Sequence, residues 1–122
     1  ESPETEFDAI SPQALFDSLV VHELTHSRLS HLPEGGDIGV VNQEYIAYAM
    51  QLASLPAQER EAFLIGYLDR ELDIAAINVF TLGLAPGYFA SLAWRHFDQT
   101  DNGCAFVQSL MDQDFTFERP FD

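Results

Sequence analysis

The sequence predicts a mainly α-helical domain, five to six helices gathered around one of their number, with at most one short strand near the N-terminus. Three observations predict it. No segment sustains the two-residue alternation of a half-buried strand. Proline and glycine signals cut the chain into helix-length pieces. Apolar residues make up 47 % of 122 residues, enough for one core, and the length suits a single domain spanning 1–122.

The elements follow in order. Residues 1–6 (ESPETE) are acidic and polar, and we expect them to be mobile. Residues 7–10 have room for the one strand or for an extended lead-in. Ser11-Pro12 starts the first helix, because the serine caps free N–H groups and proline at the first position loses no bond. It should run to about His31, where Pro33 and Gly35-Gly36 end it, and a loop covers Pro33 to Val41. A second helix is expected from Asn42 to Ser54, and Pro56 opens a third that runs to about Arg70. Leu72 or Asp73 begins a fourth that ends at Gly83, with Asn78 as a polar residue inside it. Ala85-Pro86 starts a fifth, carrying Phe89, Leu92, Ala93, Trp94 and Phe97, and Asp101-Asn102-Gly103 breaks it. A short sixth helix spans Cys104 to Met111. The tail, residues 115–122, holds Phe115, Phe117 and Phe121 and reads as an extended arm docked on the core.

The charge balance excludes several functions. There are 20 acidic residues against 5 basic ones, a net charge of −15. The basic residues are Arg28, Arg60, Arg70, Arg95 and Arg119, and there is no lysine. Such a surface repels phosphate backbones and anionic lipid, and it attracts divalent cations. No apolar run reaches the length of a membrane span. The lone Cys104 builds neither an internal disulfide nor a thiolate metal site. The chain opens on Glu1 without a signal-peptide pattern, so we expect a processed form or an excised piece; the compartment stays open, with an inclination toward periplasm or secretion.

His22-Glu23-Leu24-Thr25-His26 is an HExxH motif in the middle of the first expected helix. Four residues turn a helix by about 400°, so the two histidines stand one above the other and can grip one Zn²⁺ from the same side. Glu23 lies about 100° further round, placed to act as general base on a metal-held water. A shuffled chain of this composition would contain roughly 0.01 such motifs, so chance is a poor explanation. Leu15, Leu19 and Leu29 share the histidine face by the same arithmetic, and a leucine wall would keep an ion in a low-dielectric setting.

A catalytic zinc needs a third protein ligand. His31 follows His26 by five residues, which turns it about 140° away, and it reads as a solvent or capping histidine. Glu44 is the better candidate, at the start of the second helix, across a loop containing Gly35, Gly36 and Gly39.

HExxH, a glycine-rich loop and then a helix bearing a glutamate together resemble the gluzincins, the thermolysin-like zinc metallopeptidases. In that superfamily the third ligand lies in a sequence such as NExxSD; here the segment is Asn42-Gln43-Glu44-Tyr45-Ile46-Ala47-Tyr48. The resemblance implies His22, His26 and Glu44 as zinc ligands, Glu23 as base, and a peptide or protein as substrate. Residues 44–49, with Ala93-Trp94-Arg95-His96-Phe97, also resemble a group of small bacterial HExxH domains, over most of the chain from Phe16 to Phe97.

The chain departs from the gluzincin pattern twice. Four residues after the ligand glutamate, where thermolysin-like enzymes carry an aspartate that orients a histidine, it has Tyr48, which offers an oxygen without a charge. Only ten residues precede Ser11, so the sheet that cradles substrate in larger gluzincins must come from an upstream segment, a second copy or another domain, or be absent. For a group that would steady an oxyanion, the candidates are His96, Tyr88 and Tyr45, with Arg95 as a cationic alternative. The alternative to a peptidase is a non-catalytic helical interaction module with a vestigial or structural metal site. A third possibility is a metal-dependent hydrolase acting on something other than peptides.

Overall fold

A computed structural model describes residues 6–33 and 37–117, and these fold into six α-helices with no strand among them. The first, α1 (Pro12–Ser30), begins where the Ser-Pro pair places it. Ser11 Oγ accepts from the Ala14 N–H, while the Glu59 carboxylate takes hydrogen bonds from the Ser11 N–H and O–H at 2.9 and 2.8 Å. The helix closes at His31, whose Nδ1–H donates to the Ser27 carbonyl at 2.7 Å. That histidine caps its own helix and does not join the others.

Helix α2 (Val40–Ser54) starts two residues earlier than expected, because the extended Gly39 serves as its N-cap. Its apolar positions run all the way round, the pattern of a helix packed on every side. Accordingly α1 packs against one flank and α5 (Pro86–Gln99) against another. Arg60 donates from Nη1 to the carbonyls of Leu52 and Leu55, closing the C-terminal end of α2, and its guanidinium lies 4.7 Å over the Trp94 ring.

Two expected helices are shorter than their sequence signals suggested. The third, α3 (Ala57–Leu64), passes into a single 3₁₀ turn, Ile65–Tyr67, and stops short of Arg70. Glycine at position 66 costs helix stability, and of the residues around it Tyr67 is buried while Ile65 and Leu68 are exposed. The fourth is split. A 3₁₀ turn, Ile74–Ala76, is capped by the Asp73 carboxylate, and α4 (Val79–Leu84) starts afresh at Asn78. Asn78 Oδ1 accepts from the Thr81 N–H at 2.9 Å and its Nδ2 donates to the Ala75 carbonyl at 2.9 Å. An asparagine that bonds its own neighbouring backbone competes with continued helix, so it divides the segment instead of lying inside it.

Residues 7–10 form a turn rather than a strand, closed by Ile10 N–H to the Phe7 carbonyl at 3.1 Å. Phe7 stacks on Phe63 and Ile10 is buried. Of the six residues expected to be mobile, 1–5 lie outside the described residues, and Glu6 is anchored. Its Oε2 accepts from the Tyr67 hydroxyl and from the Tyr88 N–H in the first turn of α5. Gly87 makes that approach possible, since a Cβ there would stand 2.6 Å from the Cβ of Glu6.

Helix α6 (Gly103–Met111) is capped by Asn102, a left-handed residue whose side chain accepts from the Ala105 N–H. Of the expected arm, residues 115–117 dock on the core, and 118–122 lie outside the described residues. Asn42, buried in α2, donates from Nδ2 to the Phe115 carbonyl and accepts from the Phe117 N–H, at 3.0 and 2.8 Å. Phe121 lies outside the described residues. No helix among the described residues is long and apolar enough to cross a membrane.

Candidate metal centre

The site lies where α1 crosses α2. His22 and His26, one turn apart on α1, present Nε2 to the same carboxylate oxygen, Glu44 Oε1, each at 3.1 Å. One donor atom from each of the three residues falls within 4.8 Å of the others. Ligand atoms around a tetrahedral ion with bonds of about 2.0–2.1 Å stand about 3.3–3.5 Å apart. The two contacts to Glu44 Oε1 are tenths of an ångström shorter than that, while the set as a whole is bounded only by 4.8 Å, so the side chains would have to adjust to close on an ion. His22 is buried, while the His26 and Glu44 side chains are 26 % and 23 % exposed, so the cluster opens to solvent on one side.

A buried relay sets the tautomer of His22. Ser18 Oγ donates to the Leu15 carbonyl at 2.8 Å, and Gln51 Nε2 donates to Ser18 Oγ at 3.1 Å. The Gln51 amide oxygen is thereby turned to His22 Nδ1, 2.8 Å away, and a carbonyl oxygen can only accept. The ring proton therefore sits on Nδ1, and a neutral His22 turns a bare Nε2 lone pair toward Glu44. Two acceptors at 3.1 Å repel unless a cation lies between them, either a proton on the ring or a metal ion. Burial pushes the Glu44 carboxyl up, but the hydrogen bond to His22 and the charges of His26 and His22 outweigh it and the net shift is downward.

Residues 1–120 match the profile of a family described as "Family of unknown function (DUF6639)". The chain belongs to the DUF6639 family. No curated protein and no solved structure matches it.

In this DUF6639 chain Glu23 is exposed on α1 beside His22. Its charge is one of three, with those of Glu44 and Glu6, that act on the Tyr48 hydroxyl. Tyr48 sets its ring edge-on to His22, centroids 4.5 Å apart, and burial first, then the three carboxylates, push its hydroxyl up to about 12. It is a packing neighbour of the histidine, and Gln51, one turn further along α2, takes the orienting role expected of Tyr48. Sequence reasoning missed Gln51 and Ser18. The available signal was spacing, since residues 44, 48 and 51 fall on one helical face.

The oxyanion candidates are dispersed. His96 hydrogen-bonds the buried Tyr45 hydroxyl through Nδ1 at 2.7 Å and packs on Phe106 and Phe117. Desolvation lowers the His96 pKa and raises that of Tyr45, which favours both neutral, as in a structural pair. Tyr88 stacks on Tyr67 under the Arg70 guanidinium, and Arg95 donates to the Arg70 carbonyl. The leucine wall is also incomplete: Leu29 is buried and Leu15 half-buried, but Leu19 is exposed. An apolar cavity of about 370 Å³ opens between α4 and the C-terminal arm, lined by Ile77, Asn78 and Phe117 among others, and holds none of the three donor residues.

Proposed function

We propose that the chain is a zinc-dependent metallopeptidase that hydrolyses peptide bonds with an activated water. The observation that carries this reading is the convergence of His22 Nε2, His26 Nε2 and Glu44 Oε1, with the His22 lone pair aimed inward by Gln51. Zinc, when bound, would polarise a carbonyl and lower the pKa of water toward about 7. His22, His26 and Glu44 would hold it, and the partial exposure of the last two leaves an approach for substrate. Glu23, one residue from His22 and outside the donor set, takes the water's proton and returns it to the departing amine. The half-buried Tyr48 ring packs edge-on against the His22 imidazole and would help to hold its orientation.

Protein purified without chelator should carry about one zinc per chain and cleave an unstructured protein such as casein. Glu23→Gln should retain the zinc and lose cleavage, while His22→Ala should lose both. Full cleavage by Glu23→Gln, or no zinc in the unsubstituted protein, refutes the reading. One observation favours a second reading, a non-catalytic interaction module with a structural ion: among the described residues no strand is present to pair with an extended substrate. Zinc retained with no cleavage of any protein would support it.

A further inference from the structure

The face of α1 that turns away from the core is apolar. Phe16, Leu19, Val20 and Leu24 recur at helical spacing and are exposed at 63, 45, 43 and 60 %. Glu23 lies within this stripe, since residues 16, 20, 23, 24 and 27 fall on one side at 100° per residue. Leu19 occupies the angular position between His26 and Glu23. A solvated helix normally fills such a face with charge, and on α1 the stripe carries only Glu23, with Asp17 and Arg28 on its margins.

We propose that this stripe is the docking platform for the peptide substrate, and that it selects segments combining large apolar side chains with arginine or lysine. The assignment rests on the peptidase reading above and adds the substrate class. The stripe runs from residue 16 to 24, about 12 Å along the helix, which matches roughly four residues of extended chain. Cationic preference follows from charge complementarity. The chain carries a net charge of −15, and three of its five arginines are engaged elsewhere: Arg60 on α2 and Trp94, Arg70 over Tyr88, and Arg95 on the Arg70 carbonyl. The same charge disfavours a second copy of this chain as the occupant. A basic apolar segment would cover the leucines and meet a negative field as it approaches.

The test uses the full chain carrying Glu23→Gln, so that binding is read without cleavage, and three fluorescent octapeptides. One alternates arginine with leucine and phenylalanine, one replaces each arginine with glutamate, and one replaces each apolar residue with serine. Fluorescence anisotropy should show the first binding at least tenfold more tightly than the other two, with the advantage over the glutamate peptide shrinking in 0.5 M salt. Adding Leu19→Ser and Leu24→Ser should weaken that binding about tenfold, with zinc content and circular dichroism unchanged. Equal binding of all three peptides, or undiminished binding by the serine variant, overturns the proposal. So does light scattering that finds a dimer which the serine substitutions dissociate, because a second copy would then own the face. Cleavage by the unsubstituted chain separates the two claims. Stripe-dependent binding without cleavage leaves the platform standing and removes the peptidase, whereas cleavage indifferent to the serine substitutions does the reverse.

Discussion

Replacing Gln51 with leucine tests whether the His22 tautomer, and not only the presence of two histidines, makes the site. Leucine nearly preserves the volume of a residue that is 1 % exposed. It removes the 2.8 Å bond to His22 Nδ1 and the 3.1 Å bond to Ser18 Oγ. Leaving the buried ring N–H unpaired costs about 1–3 kcal/mol, and His22 can escape by moving its proton to Nε2, where Glu44 accepts it. That relocation occupies the lone pair a metal needs. Removing such an orienting partner weakens metal binding about 10–100-fold, or about 1.4–2.7 kcal/mol. Competition against a chromogenic chelator measures the zinc Kd, and Gln51→Glu, which restores an acceptor and adds a charge, should bind at least as tightly as the unsubstituted chain. A Kd within twofold for Gln51→Leu would show that the relay does not set the tautomer, and the argument from facing acceptors would fall with it.

Three further outcomes follow from the packing. The His96 pKa is lowered in the fold by desolvation, so below about pH 6.5 the unfolded chain binds a proton that folded His96 resists. Stability is therefore lost as pH falls through that value, and between pH 7.5 and 5.5 the melting temperature should drop further for the unsubstituted chain than for His96→Gln. Asn42→Ala should cost about 2 kcal/mol by removing both bonds to the C-terminal arm, and hydrogen exchange at the Phe117 amide should accelerate. Gly87→Ala should displace Glu6 from α5, read as faster exchange of the Tyr88 amide with the metal site unchanged.

The parts of the fold legible in the sequence are those with backbone-level punctuation. Pro12 and Pro86 start helices where the structure starts them, and Asp101-Asn102-Gly103 separates α5 from α6, because a fixed φ, a missing donor or a left-handed residue acts locally. Asn78 was misplaced because its effect depends on which backbone group its side chain chooses, and apolar neighbours on both sides suggested continuity. The candidate ligands could be read from one helix and a crossing partner. Spacing put Gln51 on the face of Glu44 and Tyr48 but could not pair it with His22, 29 residues away, since glutamine carries no motif. His96 attracted attention as a rare residue type, yet its surroundings of Tyr45, Phe106 and Phe117 exist only after folding.

The two helices that meet at the site differ in how firmly they are held. The α2 helix is gripped by α1, α5, the C-terminal arm through Asn42, and Arg60 at its end, so Glu44 sits on a fixed keel. The α1 helix is backed on one side only. Of the two histidines it carries, His22 stands on the closed flank of the site and His26 on the open one, a quarter exposed. If the site holds an ion, as proposed above, its exchange with solvent is expected past His26 and not past His22.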